Sequence, residues 1–99
     1  MIEDNQDVAV FTRLNDLAQR HGLKPYDFVA SFMPEDKDQG TTYVLTFEVP
    51  ASGNALREER FDKMLASIGA DTGQLRGDTS AIIDALDNAL EHAPRSRRF

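Results

Sequence analysis

Apolar residues recur at helical spacing near the start of the chain. Val8, Phe11, Leu14, Leu17 and Ala18 form one face, while Arg13, Asp16, Gln19 and Arg20 fall off it. That period predicts an amphipathic helix over 7–21, stopped by Gly22, because glycine accepts the left-handed backbone of a helix end at no steric cost. The period then changes to two. Over 26–33, Tyr26, Phe28, Ala30 and Phe32 share one side; over 41–49, Tyr43, Leu45, Phe47 and Val49 do. Alternation rich in aromatic and β-branched residues predicts two strands. The polar stretch Pro34-Glu-Asp-Lys-Asp-Gln-Gly40 between them reads as a hairpin loop.

Helical spacing returns after Pro50. Leu56, Phe61, Met64, Leu65 and Ile68 predict a buried stripe on a helix over 54–68, with Ser52 or Asn54 as N-cap and Gly69 as stop. Glu59 and Lys63 sit four apart in the favourable order for an ion pair. The segment 71–77 is a loop or holds a short third strand at 74–76. A last helix over 79–93 begins at a cap drawn from Asp78, Thr79 or Ser80, presents Ile82, Ile83, Leu86, Ala89 and Leu90, and ends at Pro94.

These elements predict an α+β two-layer sandwich, with a small antiparallel sheet (hairpin 26–33/41–49) packed on helices. The fold occupies 1–93 as one domain, followed by a basic tail at 94–99. The outer sheet face, with Val29, Ser31, Met33, Thr42, Val44, Thr46 and Glu48, mixes apolar and polar residues, as a surface partly covered by a partner does. A chain of 99 residues buries only enough surface for a small stability margin, so a second copy covering that face would help. Val29, Met33, Val44 and Thr46 are therefore the expected interface residues of a homodimer or of another protein complex.

Charge narrows the partners. The chain carries 17 acidic and 11 basic side chains, net −6. The last six residues hold Arg95, Arg97 and Arg98 and no acid; the rest has eight basic groups against all 17 acids, a body at −9. Such a body repels phosphate backbones, which argues against bulk nucleic-acid binding. The Arg tail is the one place where nucleic acid or an acidic partner could attach, and otherwise serves solubility. Hydrophobic residues at 40% and charged ones at 28% fit a soluble globular domain, and no apolar run reaches the roughly 20 residues of a membrane helix. The acidic start does not resemble a secretory leader, and the absence of cysteine fits a reducing compartment, so the expected location is the cytoplasm.

Candidate chemistry is sparse. His21 and His92 each sit in the last turn of a helix, where the dipole favours a cation; outside any local motif they read as dipole partners rather than as a base or metal pair. Glu35, Asp36 and Asp38 lack the spacing of a calcium loop and read as a solvated tip. Arg76-Gly77-Asp78 spells an adhesion tripeptide, but a turn followed by a cap explains it. The glycines form no phosphate loop and the serines no nucleophile elbow. Nothing calls for a cofactor, and a non-catalytic binding or regulatory module is the leading expectation.

One resemblance points elsewhere. Thr42-Tyr-Val-Leu-Thr-Phe-Glu-Val-Pro50, then Leu56-Arg-Glu-Glu-Arg-Phe-Asp-Lys-Met-Leu65 and Gly69, with Gln74 to Leu90 following loosely, resembles the small ferredoxin-like CRISPR-adaptation and VapD-type nucleases over residues 41–92. The resemblance implies a divalent-metal nuclease in which Glu48, standing where that family has an aspartate, binds the metal across a dimer.

Overall fold

The computed structural model describes residues 2–35, 42–49, 53–70 and 72–93, with the side chains of 2–5 left aside. The element order is α1 (Ile2–Arg20), β1 (Val29–Pro34), β2 (Tyr43–Glu48), α2 (Ala55–Ser67), β3 (Gln74–Gly77) and α3 (Thr79–His92). The strands form one antiparallel sheet in the order β1-β2-β3. The expected α+β layering is present, and the third strand at 74–76 is real, extending to Gly77.

The central strand sets the layers. Leu45 lies between Phe32 on β1 and Leu75 on β3 and is fully buried. Strand side chains alternate across the sheet, so Phe47 points inward with it. Phe28, Phe47 and Phe61 of α2 meet with ring centroids 5.8–6.4 Å apart, and Phe32 stacks on Tyr43 at 4.8 Å. Val10, Leu14 and Leu17 of α1, Met64 and Leu65 of α2, and Ile82 and Leu86 of α3 complete this single core. All of it lies on one side of the sheet.

The expected element limits shift in places. Helix α1 begins at Ile2 rather than residue 7, since no glycine or proline interrupts 2–20. Its buried stripe is Val10, Leu14, Leu17 and Ala18; Val8 is 61% exposed and Phe11 only flanks the core. Leu56 likewise faces solvent, since it precedes the turn of α2 that reaches the sheet. The first strand starts at Val29 rather than 26. Pro25–Asp27 forms a 3-10 turn in which the Lys24 N–H donates to Asp27 Oδ2 at 2.8 Å, and Tyr26 is turned out into solvent. Strand β2 spans Tyr43–Glu48, shorter than 41–49, with Val49 still packed on the core.

Helix ends follow their caps. Asn54 accepts from the Arg57 N–H at 3.0 Å and Asp78 from the Ala81 N–H at 2.7 Å. Asp78 is thus the cap among the three candidates, and Ser52 lies outside the described residues. The Glu59–Lys63 pair forms, at 3.5 Å. Helices α1 and α3 run parallel: Gln6 meets Thr79, Arg13 bonds Asp87 at 2.7 Å, and Arg20 donates to the Leu90 carbonyl at 3.1 Å.

Leu45→Ala removes a fully buried side chain from the centre of the sheet and should lower unfolding free energy by about 2–5 kcal/mol. Val8→Ala, on the exposed side of α1, should change it by less than about 0.5 kcal/mol. Urea unfolding followed by circular dichroism distinguishes the two.

Candidate functional site

The outer face of the sheet carries the expected interface residues together. Register places Met33 beside Val44 and Val44 beside Arg76; Ser31, Thr46 and Gln74 form the next row, and Val29 and Glu48 the last. Val29 and Met33 are 56% and 57% exposed, while Val44 and Thr46 on the central strand are half-buried. Arg76 pairs with Glu35 at 2.8 Å. The face therefore has an apolar corner at Met33 and Val44, a neutral polar middle, and one carboxylate, Glu48, exposed at its far end.

Glu48 is the position implied by the nuclease resemblance. Among the described residues, no group of three or more His, Cys, Asp or Glu side chains gathers into a metal-binding cluster. Glu35 stands at the start of the hairpin loop; Asp36 and Asp38 lie outside the described residues, as does the whole tail with Arg95, Arg97 and Arg98.

Among the described residues, two of the clefts open on the helical layer. One, of about 170 Å³, is lined by Lys24, Tyr26, Asp27, Asn54, Arg57 and Arg60 among others. Asp27 is 94% buried by its 6% exposure; its Oδ1 sits 3.2 Å from Arg57 Nε without the alignment of a hydrogen bond. Arg60 reaches the Gly22 carbonyl at 3.3 Å. Both arginines thus tie α2 to the turn that feeds β1, which accounts for their place there.

The second cleft, of about 250 Å³, brings His21 and His92 together with Ser67, Asn88, Ala89 and Ala93. Chain spacing hid this meeting, because 71 positions separate the two histidines. It follows from the parallel packing of α1 and α3, which puts both C-terminal ends side by side. Helix α2 adds a third end through Ser67, whose hydroxyl donates to the Met64 carbonyl at 2.6 Å. His92 Nδ1 lies 2.9 Å from the Asn88 carbonyl. A carbonyl only accepts, so Nδ1 carries the hydrogen and the neutral ring presents a bare Nε2. His21 Nε2 is shut off from water and has no hydrogen-bond partner among the described residues. Such an unsatisfied polar atom typically costs about 1–3 kcal/mol.

No family model, curated protein or solved structure matches the chain. Among the described residues no helix is long and apolar enough to cross a membrane.

Burial first, and the Lys63 ammonium second, hold the His21 imidazole below its ordinary value of 6.5. The folded state prefers the neutral ring. Below pH 6.5 the unfolded chain takes up the proton more readily, so this contribution to stability is complete above 6.5 and is lost as pH falls through the folded value. An NMR titration should place the His21 midpoint below 6.5. In His21→Gln, the slope of unfolding free energy against pH just below 6.5 should be shallower than in the wild type.

Proposed function

We propose that this chain is a small non-catalytic binding module of the cytoplasm that acts as a homodimer through the outer face of its sheet. The observation that carries the reading is the one-sided roof: three helices cover the inner face, while Val29 and Met33 stay more than half exposed on the outer one. Charge favours this face as the meeting place. Two copies with bodies near −9 repel one another, but here Arg76 neutralises Glu35 and leaves Glu48 as the single unpaired charge among the described residues of the face. The free edge of β1 lies beside Val29 and Met33 and can add backbone hydrogen bonds to a partner strand.

Size sets the strength of such a contact. Three strands at about 4.8 Å spacing and six residues at about 3.3 Å give a face of roughly 14 by 20 Å. That footprint is below the roughly 800 Å² of accessible surface each partner buries in a standard interface. A contact of that size sits at the small end of specific interfaces, and replacing an apolar residue at its centre should abolish it.

Light scattering at high micromolar concentration should give the wild type a mass approaching twice the 11.1 kDa of the chain, and Val44→Asp a mass of 11.1 kDa. A wild type that stays monomeric at that concentration overturns the homodimer.

A further inference from the structure

The cleft at the start of α2 gathers positive charge on a chain that is otherwise acidic. Among the described residues, Lys24, Arg57 and Arg60 line it with Asp27, three cations against one anion, a net of +2 on a body at −9. We propose that this cleft binds a small phosphate monoester carrying a flat ring, the chemical class of a nucleoside monophosphate. The three cations take the phosphate, and the ring lies on Tyr26.

Short distances bring the cations to one turn. The buried Asp27 carboxylate is the anchor: Oδ2 accepts from the Lys24 N–H at 2.8 Å, and Oδ1 lies 3.2 Å from Arg57 Nε. Two residues before Lys24, the Gly22 carbonyl accepts from Arg60 Nη1 at 3.3 Å. The Arg60 guanidinium lies so close over Gly22 that a Cβ there would stand 3.2 Å from its central carbon. Arg57 and Arg60 are three apart on α2 and share a face. These anchors use one nitrogen of each guanidinium and only the backbone of Lys24. A guanidinium has five N–H donors, so each arginine keeps a fork that matches phosphate oxygens. Lys24 and Arg60 are exposed and Arg57 is half-buried, so a ligand can reach all three.

Tying α2 to the turn explains the two arginines. It does not explain why Tyr26 and Leu56, 74% and 55% exposed, stand in the same wall. The 3-10 turn at Pro25–Asp27 holds the Tyr26 ring outside the aromatic core. An exposed ring beside cations is a stacking platform for a base, because every base has a π-face. Size sets the division of the ligand. The cleft, at about 170 Å³, is smaller than the roughly 300 Å³ at which ligand pockets begin. Phosphate and sugar therefore enter, and the ring stays at the mouth on Tyr26 and Leu56. A polymer is disfavoured, since the acidic body repels a run of phosphates.

The test is an NMR shift titration of the ¹⁵N-labelled full chain at low salt with adenosine 5′-monophosphate, adenosine and ribose 5-phosphate. The monophosphate should saturate with a Kd of about 1 mM or tighter, moving amides of 22–27 and 54–60. Adenosine and ribose 5-phosphate should each bind about fivefold or more weakly. Lys24→Glu should weaken the monophosphate by about tenfold or more. Tyr26→Ala should weaken it by about fivefold or more while leaving ribose 5-phosphate unchanged, a split that general loss of charge or fold does not produce. No saturation, shifts centred elsewhere, adenosine or ribose 5-phosphate binding as tightly as the monophosphate, or undiminished affinity in either variant overturns the proposal. Both substituted side chains are exposed, so circular dichroism should match the wild type; if a variant fails to fold, the three probes on the wild type decide. Light scattering of Lys24→Glu without probe should also match the wild type, which keeps this test separate from that of the dimer.

Discussion

The pleat of the central strand governs this fold. Leu45 is sealed between two neighbouring strands, and because successive side chains of a strand point to opposite faces, its burial commits Phe47 inward and Val44 and Thr46 outward. A shift of one residue in pairing would send the whole aromatic set to the wrong side. The helices can then cover only the face that carries the rings. The one-sided roof and the exposed outer surface are two consequences of the same alternation.

The helical layer has its own constraint. Antiparallel helices place opposite dipole ends together, but α1 and α3 are separated by a hairpin, a helix and a strand, and they return in parallel. Like ends therefore meet. Arg20 answers part of the resulting negative field by donating to the Leu90 carbonyl of the neighbouring helix. The two histidines stand in the same field, and their placement follows from topology as much as from local sequence.

Much of the architecture was legible along the chain. The inward set Phe28, Phe32, Leu45 and Phe47, the lower half of α1, and the stripes of α2 and α3 from Phe61 and Ile82 onward follow from period alone. Val8, Tyr26 and Leu56 all face solvent. Val8 lies two residues from the fully buried Val10, and at 3.6 residues per turn the two point to nearly opposite sides of α1, so the buried stripe is phased on Val10 rather than Val8. Leu56 stands in the first turn of α2, ahead of the buried stripe that begins at Phe61. At Tyr26 a stronger local preference intervened, since Pro25 and the Asp27 carboxylate close a tight turn before the strand begins. The expected interface residues were visible as the alternate set of the hairpin; the histidine cleft was not, because no short-range signal links positions 21 and 92.

The amino-acid order by itself determined where helices and strands occur, which face of each is apolar, where the caps and stops fall, and how unevenly charge is spread, because each of these depends on neighbours within a few residues. Tertiary structure alone decided that the short segment at Gln74–Gly77 pairs with β2, that α1 and α3 run parallel, and that His21, Ser67 and His92 line one cleft. Those are contacts between distant parts of the chain, settled by which packing buries the aromatic face most completely, and local periodicity carries no information about them.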